Sequence, residues 1–324
     1  MKKGFLLAQL LCLCALLCAC APRAAEPVKP DEAQLTVVGF SQVGAESDWR
    51  LGNTNSMVQA FSAENGYRLI LEDAQQKQEK QITAIRNFIN QGVDYIVLAP
   101  TTENGWDTVL AEARAAGIPV ILVDRRIEVE DESLFTCWVG SDFRREGDTA
   151  ARWMEENLPE TLRIVHLQGN IGSSAQIGRT EGLMAALQKH PGWELVFQAP
   201  GDFTQAKGQE LIESLLREKT AFDVIYSEND NMAYGAIDAL KAASLVPGRD
   251  VSILSFDASA AALRLVLSGE INLDVECNPL HGPRVRAIIE QLRRGETPAK
   301  YTYVDETSFD AENLTERIVL ERGY

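Results

Sequence analysis

The sequence predicts an α/β protein made of two similar parallel-sheet units that face each other across a ligand cleft. Two observations carry this. Apolar runs of strand length alternate with stretches of helical spacing along most of the chain, and strict alternation forces right-handed crossovers and a mostly parallel sheet covered by helices on both faces. The second is an internal echo: Asp94-Tyr-Ile-Val-Leu-Ala-Pro, an Ala-rich helix and Ile118-Pro-Val-Ile-Leu-Val-Asp124 are matched by Asp223-Val-Ile-Tyr-Ser-Glu-Asn, an Ala-rich helix and Val251-Ser-Ile-Leu-Ser-Phe-Asp257. Each copy ends a strand on an aspartate, as two lobes gripping one ligand require.

Taken in order, residues 1–20 carry Lys2 and Lys3 and then an apolar run over 5–19, the layout of a secretory signal peptide and short for a membrane span. Leu17-Cys18-Ala19-Cys20 resembles the lipobox of bacterial lipoproteins, which makes Cys20 the expected lipid anchor; plain secretion with cleavage near Ala24-Ala25 is the alternative. Residues 21–34, proline-bearing and of mixed charge, read as a tether.

The first strand of the body runs from Leu35 through Val37, Val38 and Phe40 and stops in a loop carrying Glu46, Ser47, Trp49 and Arg50, with a helix following at once. Loops at the carboxyl ends of parallel strands are where ligands sit, so an aromatic ring, a carboxylate and a guanidinium gathered there suggest recognition of a small polar molecule. Further strands are expected at 68–71, 95–99, 120–123, 136–139, 162–167, 194–197, 224–226, 251–256 and 271–275. Helices are expected at 81–90, 106–116, 145–157, 177–189, 208–218 and 231–243.

Composition bounds the function. The 324 residues are enough for one large or two moderate domains, and a formal charge of -16 argues against sequence-independent binding to nucleic acid or anionic lipid. Asp124 and Arg125 follow a strand and should emerge together at the cleft edge, where a carboxylate accepts from vicinal hydroxyls and a planar guanidinium donates at fixed angles, a pairing suited to a polyol; a surface ion pair is the plainer alternative. Arg126 beside them reads as solvated. Trp49 offers a flat apolar face for a sugar ring, and Phe203, in a similar loop, could supply the opposing ring. The Gly172–Arg179 stretch lacks both the phosphate-loop and the dinucleotide fingerprints, so Arg179 reads as a donor at the cleft. Asn229 is assigned to the ligand, Asp230 or Asn231 to the cap of the next helix, and Glu276 to the cleft.

Enzyme signatures are sparse. His166, His190 and His281 lie far apart, His166 reads as a core imidazole, no spacing resembles a metal site, and no nucleophile elbow occurs. No catalytic residue, cofactor or metal is expected. Cys137 and Cys277 are the cysteines outside the leader, and their pairing is left open.

Residues 39–50, Asp73-Ala-Gln-Gln-Lys-Gln78, Asp124-Arg125, Leu167-Gln-Gly169, Gly201-Asp-Phe-Thr204 and Asn229-Asp230 together resemble the type I periplasmic sugar-binding proteins of ABC transporters, in particular their galactofuranose-binding subgroup. That resemblance implies two Rossmann-like lobes joined by a three-strand hinge, 35–141 with 277–304 and 142–276 with 305–324. It implies a monosaccharide, galactofuranose or a related furanose or aldose, bound by Glu46, Ser47, Trp49, Arg50, Asp124, Arg125, Arg179, Phe203, Asn229, Asp257 and Glu276. It also implies a monomer, anchored outside the cytoplasm, that delivers its sugar to an ABC permease. A sensor presenting its closed form to a membrane receptor is the alternative. Asp48 and Cys277 depart from the expected pattern, and Asp48 is the departure expected to shift sugar preference.

Overall fold

A computed structural model describes residues 35–324, which form one compact unit; the leader, the Cys20 anchor and the tether fall outside the described residues. Two six-stranded sheets organise it. The first has the order β11-β5-β4-β3-β1-β2 and the second β12-β10-β9-β8-β6-β7. In the first sheet β1 is Thr36–Gln42, β2 Tyr67–Asp73, β3 Tyr95–Leu98, β4 Val120–Val123, β5 Cys137–Gly140 and β11 Tyr301–Tyr303. In the second, β6 is Leu162–Gln168, β7 Trp193–Pro200, β8 Val224–Ser227, β9 Ser252–Asp257, β10 Leu273–Glu276 and β12 Ser308–Asp310. Strand pairs are parallel except β10 with β12.

Ten helices accompany them among the described residues: α1 Asp48–Ala60, α2 Gln78–Gln91, α3 Asp107–Ala115, α4 Phe143–Asn157, α5 Ser174–Lys189, α6 Gln205–Arg217, α7 Asp230–Ala242, α8 Ala260–Leu267, α9 Gly282–Arg293 and α10 Glu316–Glu321. Each sheet is buried on both faces, as a parallel sheet must be. Along β3, Ile96 and Leu98 enter one hydrophobic core while Val97 and Ala99 enter the other; along β6, Val165 and Leu167 part in the same way from Leu162 and Ile164. Continuous apolar runs rather than alternating ones are the sequence trace of that double burial.

The chain passes between the sheets three times: after β5 through residues 141–142, after β10 through 277–281, and between β11 and β12 through 304–307. The fold is thus the type I periplasmic-binding-protein arrangement expected from the sequence.

One contact positions the functional residues more than any other. Helices α4 and α5 cross where Gly147, Gly178 and Gly182 meet. A Cβ on Gly182 would sit 2.3 Å from the carbonyl carbon of Gly147, and one on Gly178 2.7 Å from Phe143 Cβ. Only glycine permits backbones this close, and the close approach brings Glu146 of α4 against Arg179 of α5.

Candidate functional site

The site is built from strand ends. In the first sheet, β1 leads through Glu46 to Ser47, whose Oγ accepts from the backbone N–H of Arg50 at 3.2 Å and caps α1. That cap sets Arg50 on the first helical turn. Its Nε donates to Glu46 Oε1 at 3.0 Å, and its Nη1 donates to Asp124 Oδ2 at 2.9 Å and to Gln42 Oε1 at 3.2 Å. Trp49 lies beneath the guanidinium, 4.6 Å from ring centre to Arg50, and its indole N–H donates to the Cys277 carbonyl at 2.6 Å.

Asp124 follows β4 with φ 65°, a left-handed conformation that most residues other than glycine, asparagine and aspartate adopt only at a cost. The turn is held from below by Trp138, whose indole N–H reaches the Asp124 and Arg125 carbonyls at 3.2 Å each. Gly140 gives it room, since a Cβ there would lie 2.2 Å from the Asp124 oxygen. Asp257 ends β9 with φ 119°, and Phe203, in the loop after β7, has φ 60°. Three site residues therefore share the same device, a positive φ, which turns each side chain away from its strand and into the cleft.

From the second sheet, Arg179 donates through Nε to Glu146 Oε2 at 2.7 Å and through Nη1 to the Glu228 carbonyl, and its Nη2 lies 3.6 Å from Asp257 Oδ1. Behind it, the Glu228 carboxylate accepts from Gly169 N–H at 2.7 Å and Thr180 Oγ1 at 2.7 Å and pairs with His166 Nε2 at 2.8 Å. His166 is thus the core imidazole expected. The Phe203 ring lies where a side chain on Gly169 would stand, and Arg125 sits 5.3 Å above it.

These residues enclose a cavity with about 290 Å³ of empty space, lined by Glu46, Ser47, Trp49, Arg50, Asp124, Arg125, Phe143, Ala175, Arg179, Phe203, Asn229, Asp257 and Cys277. Of this, only about 20 Å³ is open to the centre of a water molecule, so the lining is drawn tightly together in this form. Three guanidiniums face three carboxylates, so the lining is formally neutral and asks for a neutral, hydroxyl-rich guest. Burial works against the Arg50 charge, and Asp124 with Glu46 outweighs it, raising its pKa. Arg125 is less well served: burial, then the Arg50 charge, lower it to about 10. Its Nε and the Oε2 of Glu46 are buried without a hydrogen-bond partner among the described residues, a condition that costs about 1–3 kcal/mol per group unless a ligand supplies the partner.

Ten of the eleven ligand-binding candidates named from sequence line this cavity, and Glu276 does not. Its carboxylate is taken from the other side by Arg322 Nη1 at 2.5 Å and the Tyr324 hydroxyl at 3.1 Å, a contact with the far end of the chain. Asn229 lines the cavity, but its side chain is engaged by the protein: Oδ1 accepts from Met232 N–H at 3.0 Å as the cap of α7, and one N–H of Nδ2 donates to the Phe203 carbonyl at 3.1 Å. The cap expected at Asp230 or Asn231 therefore belongs to Asn229. Arg126 is only partly exposed; it stacks among Trp138, Tyr301 and Tyr303 at 4.8, 4.8 and 5.4 Å. The Asp48 side chain is exposed and outside the lining, whereas Cys277 is in it. Cys137 and Cys277 are both free thiols. Phe143, Ala175 and the Glu146 partner of Arg179 were not marked from sequence. Each is brought to the site by the α4–α5 crossing, and nothing in its local pattern announces that.

A second carboxylate group stands under Asp257. Asp230 accepts from Ser255 Oγ at 2.8 Å and Ser259 N–H at 2.9 Å, and Asp274 accepts from Ala258 N–H at 3.0 Å. Together they brace the turn that follows β9. Burial raises both, Asp230 to about 6 and Asp274 well above the usual carboxylate range, the latter helped by the adjacent Asp230 charge. A carboxylic acid whose pKa is higher folded than unfolded binds more protons in the folded state. Its stabilisation is complete below the unfolded value near 4 and is lost as pH rises through the folded value. The melting temperature is accordingly expected to fall as pH rises from about 4 through 6 and beyond, and Asp274→Asn, which keeps the acceptor for Ala258, should make that fall shallower. Parallel curves for the two proteins would contradict this account of Asp274.

Comparison with known proteins agrees with the architecture. A family model described as a periplasmic binding protein domain matches residues 38–276. The galactofuranose-binding protein YtfQ of Escherichia coli (strain K12) is 38% identical over 291 residues, 88% of this chain and 91% of that protein. Among solved structures, the periplasmic binding component of the arabinose ABC transporter from Shewanella sp. ANA-3, bound to α- and β-L-arabinofuranose, superposes with a TM-score of 0.81 at 40% identity, covering 86% of this chain and 92% of that one. A Mycobacterium smegmatis protein in complex with β-D-fucofuranose gives 0.80 at 38% identity, covering 85% and 91%. These relatives are described as sugar-binding proteins, in keeping with site carboxylates already engaged by arginines and with the expectation of no enzymatic activity. A two-sheet fold closed over a neutral, arginine-rich cavity and a family match across most of the chain lead to one conclusion: this chain belongs to the periplasmic binding protein family, the non-enzymatic, extracytoplasmic binding proteins of ABC transporters.

Proposed function

We propose that the protein captures one monosaccharide in furanose form between its two lobes and delivers it to an ABC permease. The observation that carries this is the neutral cavity: three arginine–carboxylate sets placed between the rings of Trp49, Phe143 and Phe203, with buried polar atoms on Glu46 and Arg125 left for sugar hydroxyls. The furanose ligands of the two solved relatives support the ring form. Glu46, Ser47, Trp49, Arg50, Asp124, Arg125, Arg179, Phe203 and Asp257 are the binding residues in this reading. Asn229 supports Phe203, and Glu276 braces the hinge.

The mechanism is a population shift in which a ligand touching both lobes favours the closed form. The lobes are 35–141 with 277–304 and 142–276 with 305–324. Contacts of the closed form already join them: Asp48 N–H donates to Asn231 Oδ1 at 3.0 Å, Glu103 N–H to the Gly172 carbonyl at 3.1 Å, and Arg126 N–H to Ser174 Oγ at 2.9 Å. Transport is favoured over sensing because one of the similar structures named above is the binding component of an arabinose ABC transporter. Anchoring through Cys20 and a monomeric state complete the proposal; membrane release of Cys20→Ala and light scattering test them.

A thermal-shift series with L-arabinose, D-galactose, D-fucose, ribose and glucose tests the function. Sugars with an accessible furanose form should raise the melting temperature with the logarithm of concentration and be recovered unchanged. No shift with any of them would remove the sugar reading and leave the fold.

A further inference from the structure

The three passages between the sheets converge on a cluster of three possible ligands beside the sugar site. Cys277 opens the second passage, Glu306 lies in the third, and Glu146 stands in α4 just after the first. Ligand atoms of these three residues all lie within 4.8 Å of one another. Glu146 is only 4% exposed; its Oε2 is held by Arg179, and its Oε1 has no hydrogen-bond partner among the described residues. Ser141 Oγ donates to Glu306 Oε1 at 2.7 Å and lies 3.3 Å from Cys277 Sγ, and Asn278 N–H donates to Glu306 Oε1 at 2.6 Å. The cluster lies between two cavities. Cys277 lines the sugar cavity, while Glu146 and Glu306 line a second one that shares no lining residue with the first.

We propose that Glu146, Cys277 and Glu306 form a divalent metal site, matched to zinc, that ties the three hinge passages together. The ligand set decides the metal: one thiolate with two carboxylates suits zinc and disfavours magnesium or calcium. The three ionised ligands carry three negative charges; a divalent cation covers two, and the third faces Arg179, whose charge is shared with Asp257. Zinc bonds of about 2.0–2.3 Å at tetrahedral angles put ligand atoms roughly 3.3–3.7 Å apart, so the cluster needs to contract by about 1 Å. Ser141 orients two ligands from outside, as supporting groups do in metal sites, and the second cavity gives water and metal a path in. Positions 146, 277 and 306 are too far apart in sequence for any ligand spacing to reveal the site.

The test is a cobalt titration of the reduced, chelator-treated protein, followed by calorimetry and by thiolate-to-cobalt charge-transfer absorption, with zinc as competitor. One equivalent should bind and give the absorption. Cys277→Ser should abolish the absorption, Glu306→Gln should weaken binding at least about tenfold, and Cys137→Ser should change neither. Circular dichroism checks that each variant is folded, and Glu306→Gln stands as the second variant if Cys277→Ser does not fold. Absence of saturable binding to the unaltered protein, or unchanged binding in folded Cys277→Ser and Glu306→Gln, overturns the proposal. The titration contains no sugar, so its failure would leave the sugar reading intact, and a failed sugar screen would leave this one.

Discussion

Replacing Arg179 by alanine is expected to abolish sugar binding and to cost about 3–5 kcal/mol of stability, the usual penalty for breaking a buried ion pair. The reason is its position at the junction of two roles. Toward the cleft it faces Asp257, and toward the core it holds Glu146 at 2.7 Å and the Glu228 carbonyl. Truncation strands the Glu146 carboxylate in a buried site where burial has already raised its pKa to about 7. Arg179→Lys keeps the charge but not the planar fork, and should recover part of the stability without the binding. Urea denaturation and calorimetry read the two effects separately. A folded Arg179→Ala protein that binds sugar within about tenfold of the unaltered affinity, or about 1.4 kcal/mol, would remove Arg179 from the site.

Arg125→Met should behave in the opposite way, losing binding while stability holds or rises. Arg125 is almost fully buried, yet it makes one long hydrogen bond, Nη1 to the Thr101 carbonyl at 3.3 Å, and its nearest carboxylate is Asp124 at 3.9 Å. A buried charge so poorly paired costs the folded protein free energy, and an apolar side chain of similar length keeps the contact with Phe203, so a gain of about 1 kcal/mol is expected. Hydrogen bonds from a charged donor contribute roughly 1.5–3 kcal/mol each, and losing two to sugar hydroxyls predicts at least about a 100-fold weaker dissociation constant. Loss of stability with affinity unchanged would show that Arg125 serves the fold instead.

The contrast between these arginines explains what the sequence could and could not reveal. Both follow apolar strands or open helices, so their placement at the cleft was legible from the β-α alternation alone. Their partners were not. Glu146 is one polar residue among many on α4, and it reaches Arg179 because Gly147, Gly178 and Gly182 let two helices touch. Asn229 and Ser47 look like ligand contacts and prove to be helix caps as well, because the residue that opens a helix at the end of a strand serves the backbone first. Glu276 was misplaced because the residues that claim it, Arg322 and Tyr324, lie at the other end of the chain. The hinge left little trace: β11 and β12 have three residues each, and β11 is exposed throughout, so neither carries the apolar run by which the buried strands were found. Arg126 reads as a surface charge until β11 brings Tyr301 and Tyr303 beside it.

The central claim is that the cavity between the lobes selects a sugar in its furanose ring. Carbon-13 NMR of galactose or arabinose labelled at the anomeric carbon, titrated with the protein, tests it most directly. The account predicts a bound signal at the furanose anomeric position, although furanose is the minor form in free solution, and its disappearance with Arg125→Met. A bound signal at the pyranose position, or none with any sugar that shifts the melting temperature, would contradict it.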